Sequence, residues 1–87
     1  MNKLDGIMID VTNEDIRFGV PRNRCNCPIA LAIERATNAE HAVFVDSQYI
    51  TIGRDKFFVD SHVASFMRSF DTDYVVNPIT FTLVSAN

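Results

Sequence analysis

A seven-residue run at residues 22–28, RNRCNCP, gathers two arginines and both cysteines of the chain directly before an apolar segment. The proline and the apolar residues after it predict a helix that begins at Pro28, with Cys27 as its N-cap residue. A helix N-terminus carries unpaired N–H groups and a partial positive charge, so it favours bound anions and thiolates. The run therefore indicates an anion site, thiol chemistry or a metal site.

The anion site is the first hypothesis. Three arginines are near enough in sequence to surround the helix start: Arg17, Arg22 and Arg24. Guanidinium groups bind phosphate and carboxylate groups well, although Pro28 removes one backbone donor. The alternative is that these arginines are solvated, or that they pair with Glu14 and Asp15 in the preceding segment.

Thiol or metal chemistry has weaker support. Cys25, Cys27, His41 and His62 are the right ligand types for zinc, but one residue separates the cysteines, where structural zinc sites usually have two to four. Catalysis by Cys27 would need a histidine base, and nothing in the sequence positions one. No glycine-rich phosphate loop or nucleophile elbow occurs. We therefore predict no catalytic residue, no metal and no cofactor, and we keep a cysteine-dependent enzyme or metal protein only as a minor alternative.

Aromatic residues suggest a binding surface. Phe57 and Phe58 are adjacent, so in a strand they point to opposite faces and one of them faces away from the main core. With Tyr49 on the neighbouring strand, we predict a partner-binding surface near Tyr49, Phe57 and Phe58. The alternative is that a loop or the short helical turn covers this second face of the sheet.

The elements that position these residues follow from hydrophobic periodicity. Alternating apolar residues predict strands near 7–11, 42–45, 49–52, 56–59 and 79–83. A capping box from Thr12 to Asp15 predicts a helical turn over 13–18, which Gly19 ends. A second helix runs from Pro28 towards Asn38, and a third begins after a cap at Asp60 or Ser61. We expect one α+β domain over residues 1–87, with a mainly antiparallel sheet of four to five strands and two principal helices on one face.

Composition limits the function further. Eight basic residues against eleven acidic ones give a net charge of −3 with no block of one sign, which argues against general nucleic-acid binding. The longest apolar run, residues 27–33, is too short to span a bilayer, and the first residues lack an apolar signal core. We predict a soluble, cytoplasmic protein without membrane contact. At 87 residues the core is small, which favours a homodimer or a partner complex.

Four segments resemble a group of short, uncharacterised phage and prophage proteins. The matching segments are "DI..G" at residues 15–19, "CPIALA" at 27–32, "FI..FD" at 66–71 and "P..F.L" at 78–83. Met67 and Arg68 stand where the group has a less specific pair, and the turn at 71–73 lacks the glycine often seen there. The resemblance implies phage provenance and a location in the host cytoplasm, with no settled activity.

Two binding functions follow from these observations. The favoured hypothesis is a non-enzymatic accessory protein that binds a host protein, for example as a host-defence inhibitor, or that binds itself as a homodimer. The alternative is a binder of a small anionic ligand, such as a nucleotide messenger, through Arg22 and Arg24 at the helix start.

Overall fold

Three helices and five strands lie within residues 4–38 and 40–86, which are the residues described in the computed structural model. The strands are β1 (Met8–Val11), β2 (Val43–Val45), β3 (Tyr49–Ile52), β4 (Asp55–Phe58) and β5 (Ile79–Thr82). The helices are α1 (Asn13–Phe18), α2 (Pro28–Ala36) and α3 (Ser61–Asp71). The α+β class is confirmed, and every strand pairing among the described strands is antiparallel.

The strands form two sheets where one was expected. β1 pairs with β5, while β2, β3 and β4 form a separate meander in that order. The segment that follows β5 joins the sheets through a single bridge between Phe57 and Ser85. Beside this bridge, the Phe58 N–H donates to the Val84 carbonyl at 2.9 Å. The chain after β5 therefore closes the edge of β4 with too few paired residues to form one continuous sheet.

The inward residues of both sheets share one core with α2 and α3. The fully buried side chains include Ile9 in β1, Leu83 directly after β5, Ile50 and Phe57 in the meander, and Ile33 in α2. Burying a side chain as large as that of Phe57 contributes about 1.5–3 kcal/mol to folding.

Phe57 and Phe58 point to opposite faces of β4, as their adjacency requires. Phe57 is 0% exposed, whereas Phe58 is 53% exposed. The prediction that Phe57 contributes to a partner-binding surface is therefore wrong, because its side chain fills the core between the meander and the helices.

Side chains cap each helix where the sequence places a capping residue. Thr12 and Asp15 form the predicted capping box at α1. The Cys27 Sγ accepts the Ala30 N–H at 3.4 Å, and the Asp60 carboxylate accepts the Val63 N–H at 3.0 Å. These caps satisfy backbone donors that have no partner within the helix.

Gly19 ends α1 and lets α2 approach closely. Its φ of −67° is open to any residue, so its conformation does not require glycine. A Cβ at this position would lie 2.6 Å from the Pro28 ring and 2.8 Å from the Asp15 carbonyl oxygen. Glycine is therefore required here by space, because the start of α2 packs against the end of α1.

An ion pair that the sequence did not suggest joins α1 to α2. The Arg35 guanidinium donates to both carboxylate oxygens of Asp15, at 2.6 and 2.9 Å, and to the Asp10 carbonyl at 2.8 Å. Burial would raise the pKa of Asp15, but hydrogen bonds from Arg35 and Thr12 outweigh it and lower the pKa below 3.8. The same pairing raises the pKa of Arg35. Asp15 thus pairs with Arg35 and not with an arginine of residues 17–24.

Among the described helices, none has the length and apolar character needed to cross a bilayer. The longest of them, α3, has 11 residues, while a spanning helix needs about 20.

Candidate functional site

A cavity of about 410 Å³ lies where the 22–28 loop, the turn between β2 and β3, and α3 meet. Its charged residues are three arginines and two aspartates: Arg22, Arg24, Arg68, Asp46 and Asp71. Its apolar wall consists of Pro28, Val45, Ala64, Phe66, Met67 and Phe70. We call it the arginine cavity. The structure thus brings the predicted Arg22 and Arg24 together and adds a third arginine from a distant helix.

One face of α3 supplies two of the five charged lining residues, Arg68 and Asp71. Ala64, Met67, Arg68 and Asp71 stand at positions i, i+3, i+4 and i+7, which share one side of a helix. The neighbouring side carries Val63 and Phe66 into the core. Arg68 is thereby directed to the cavity by the same periodicity that directs the apolar residues inward.

Arg22 is anchored at the rim by Asp71. Its backbone N–H donates to the Asp71 carboxylate at 2.9 Å, and its guanidinium Nη1 donates to the Asp71 carbonyl. Its φ of 58° is in the left-handed region, which a non-glycine residue adopts at a cost of about 1–2 kcal/mol. The two contacts to Asp71 offset that cost and hold the loop against the end of α3.

The guanidinium groups of Arg24 and Arg68 have more freedom. The Arg24 carbonyl accepts the Val45 N–H at 3.0 Å, which fixes its backbone beside β2. Neither side chain forms a hydrogen bond or an ion pair with any residue of 4–38 or 40–86. Both guanidinium groups therefore remain available to a ligand.

Asp46 is held in a different way. Its carboxylate accepts the N–H groups of Tyr49 and Gln48, both at 2.8 Å. These two bonds lower the pKa of Asp46, slight burial opposes them, and the nearby charge of Arg24 lowers it further. The carboxylate thus stays ionised, while its main role is to fix the turn between β2 and β3.

The start of α2 supplies fewer donors than expected. Pro28 has no N–H, the Ala30 N–H points to the Cys27 sulfur, and the Leu31 N–H donates to the Cys27 carbonyl at 3.0 Å. The expectation that this helix end holds an anion with its backbone is therefore not met. Any anion in the cavity would be held by guanidinium groups.

Cys27 lies in the cavity wall but is not activated. Burial raises the pKa of its thiol above 9.0, the N–H groups of Ala30 and Ile29 lower it in part, and the charge of Asp71 raises it. The thiol is protonated at neutral pH, which makes it a poor nucleophile and a poor metal ligand. Burial thus outweighs the effect of the helix N-terminus, which by itself favours a thiolate.

The other predicted site residues lie apart from the cavity. Arg17 lies over the Phe18 ring, with its guanidinium carbon 5.6 Å from the ring centroid. The His41 ring lies beside Gly53, and the His62 Nδ1 is 2.7 Å from the Asp60 carboxylate. Within the described ranges, no three histidine, cysteine or acidic side chains are placed to share a metal ion.

A second candidate site is an apolar row on the outward face of the meander. Tyr49 stands opposite Phe58, with their ring centroids 6.2 Å apart, and Phe58 stands beside Val84. Phe58 and Val84 are 53% and 51% exposed. The Lys56 ammonium lies 5.2 Å from the centroid of the Tyr49 ring. We call Tyr49, Phe58 and Val84 the outer row; it unites two of the three predicted aromatic residues.

Arg68, Asp71 and the apolar wall of the cavity were missed by sequence reasoning. The position of Arg68 one step beyond Met67, on the edge of the apolar stripe of α3, was the available signal. The 49-residue separation of Arg22 and Asp71 left no local signal for their contact.

Comparisons with protein-family models, with curated proteins and with solved structures find no match to this chain. The resemblance to short phage and prophage proteins accordingly stays a prediction.

Proposed function

We propose that this chain is a binding protein whose arginine cavity holds a small anionic ligand. The observation that carries the proposal is the convergence on one cavity of Arg24, from the loop, and Arg68, from α3, whose guanidinium groups have no partner among residues 4–38 and 40–86. Guanidinium groups prefer phosphate and carboxylate partners, which they bind through paired hydrogen bonds.

The local charge supports an anion rather than a cation. The whole chain has a net charge of −3, whereas the cavity has three arginines against two aspartates. Both aspartates already accept backbone hydrogen bonds, from Arg22 and from the turn after Asp46. The carboxylates of the cavity therefore compete little with a bound anion for its arginines.

Binding is favoured over catalysis by the state of the groups in the cavity. The Cys27 thiol is protonated, neither histidine belongs to the cavity lining, and both aspartate carboxylates accept backbone hydrogen bonds that fix the loop and the turn. General acid–base or nucleophilic catalysis needs such a group within reach of the reacting atom. The arrangement instead has the features of a recognition site, with permanently charged arginines beside an apolar wall.

Titration with inorganic phosphate, followed by thermal unfolding and by calorimetry, tests the proposal. We expect wild-type protein to be stabilised, and Arg24→Ala and Arg68→Ala each to weaken binding about tenfold or more, because a hydrogen bond to a charged group contributes about 1.5–3 kcal/mol. Arg54→Ala is the matched control, since Arg54 is exposed in the turn between β3 and β4. Equal losses in all three variants, or no stabilisation of wild type, would contradict the proposal.

A second candidate function is protein binding through the outer row. The observation that favours it is the exposed Phe58 ring beside the half-buried Tyr49 ring and the Lys56 ammonium, on a sheet face. Such a face fits a protein partner with an apolar surface. The resemblance to phage proteins would make that partner a host factor.

Solution mass and binding assays separate this candidate from self-association. We expect Phe58→Ser to abolish binding of a host partner while Phe18→Ser, which removes an even more exposed phenylalanine from α1, leaves it intact. Loss of a concentration-dependent dimer in Phe58→Ser would instead assign the outer row to a second copy. Equal behaviour of both variants would remove the outer row as a binding surface.

A further inference from the structure

We infer that the ligand of the arginine cavity is an aromatic phosphate monoester of the size of a nucleoside monophosphate. This inference rests on the proposed function and adds the chemical class of the ligand. It follows from the volume, the charge and the apolar wall of the cavity together.

The volume limits the ligand to a small molecule. Sites for small molecules usually measure about 300–1,000 Å³, and the cavity of about 410 Å³ lies near the lower end of that range. It has room for one anionic group joined to one compact ring system. A polynucleotide or an extended peptide would require a longer groove than the loop and α3 enclose.

The charge favours a phosphate monoester over a single carboxylate. Two guanidinium groups, those of Arg24 and Arg68, lack protein partners in the described ranges. A phosphate monoester carries about −1.5 to −2 charges at neutral pH and has three acceptor oxygens. It can therefore accept hydrogen bonds from both arginines at once, whereas one carboxylate has two oxygens to share between them.

The wall beside the arginines favours an aromatic ring. The rings of Phe66 and Phe70 are nearly parallel, with an interplanar angle of 2° and centroids 6.4 Å apart. Phe66 is almost fully buried, while Phe70 is only half-buried and lines the cavity. An aromatic ring stacks well on such a face, and the Met67 thioether adapts to planar groups of different outline.

Isothermal titration of the full chain with four probes tests the ligand class: AMP, ribose 5-phosphate, adenosine and inorganic phosphate. We expect AMP to bind at least tenfold more tightly than ribose 5-phosphate, which lacks the ring, and than adenosine, which lacks the phosphate. Phe70→Leu should remove the preference for AMP and leave the affinity for ribose 5-phosphate unchanged. Phe44→Leu, at an exposed phenylalanine of β2, is the control and should keep that preference.

The outcomes distinguish this inference from the function on which it rests. If ribose 5-phosphate or inorganic phosphate binds as tightly as AMP, the aromatic part of the inference is overturned while anion binding stands. If adenosine binds as tightly as AMP, the phosphate part is overturned together with the anion function. If none of the three phosphates binds to wild-type protein, both fail. The affinities of wild-type protein for the four probes test the ligand class even if Phe70→Leu does not fold.

Discussion

The pair of Asp15 and Arg35 offers a sharp test of how α1 is attached to α2. The Asp15 side chain is 5% exposed and accepts two hydrogen bonds from Arg35, whose own side chain is 51% exposed. A hydrogen bond to a charged group contributes about 1.5–3 kcal/mol when buried, and exposure reduces the contribution of an ion pair. We therefore expect Arg35→Ala to lower the free energy of unfolding by about 2 kcal/mol in total.

A double-mutant cycle isolates the pair from the capping box. Asp15→Ala removes the bonds from Arg35 and also the two that the Asp15 carboxylate accepts from the N–H and the hydroxyl of Thr12, so it should cost more than Arg35→Ala alone. Urea unfolding of wild type, both single variants and the double variant should give a coupling energy of about 1–2 kcal/mol. A coupling energy of a few tenths of a kcal/mol or less would refute the assignment of this contact as the link between the helices.

The pH dependence of stability provides an independent check. Because the folded pKa of Asp15 lies below 3.8, the native protein keeps the carboxylate charged at a pH where the unfolded chain binds a proton. The stabilisation is present above about pH 3.8 and is lost as the pH falls through the folded pKa. Asp15→Asn should flatten this acid limb of the stability curve. An unchanged slope in Asp15→Asn would show that other carboxylates account for the acid loss.

Three further predictions concern packing and thiol access. Phe57→Ala should lower the free energy of unfolding by about 3–5 kcal/mol in urea titrations, while Phe58→Ala should change it by less than about 1 kcal/mol, because only Phe57 fills the core. Gly19→Ala should lower the unfolding temperature through a cost of about 1–3 kcal/mol, since its Cβ would lie 2.6 Å from the adjacent proline ring; an unchanged unfolding temperature would show that the two helices separate easily. Iodoacetamide should alkylate the half-buried Cys25 faster than the buried Cys27, as read by mass spectrometry of the folded protein. In urea both thiols should react at a common rate. Equal rates in the native protein as well would contradict the assigned burial.

Most of the helices and strands could be predicted from local sequence signals. The capping residues Thr12, Cys27 and Asp60 begin the helices where the sequence places them, because a cap depends only on residues within one turn. The alternation of apolar residues likewise predicted which face of each strand is buried, because it too depends only on neighbouring residues. The division into two sheets could not be obtained this way, since it depends on how few residues after β5 reach the edge of β4.

The candidate site was only partly accessible from the sequence. Arg22 and Arg24 were identified because they adjoin a helix start, but their partner Arg68 comes from a helix more than 40 positions later. The donors expected from the start of α2 were already used by Cys27, which periodicity does not reveal. Long-range contacts and competing local hydrogen bonds account for the differences between the predicted anion site and the arginine cavity.

The pairing of β1 with β5 has a consequence for folding on the ribosome. Their partners lie far apart in the chain, as in the bond from the Thr80 hydroxyl to the Asp10 carboxylate, which joins residues 70 positions apart. During synthesis β1 therefore emerges long before its only strand neighbour in the described sheets. Contacts of such high sequence separation form slowly, because the intervening chain must first close a large loop. The backbone edge of β1, from Met8 to Val11, thus has no strand partner until β5 has been made.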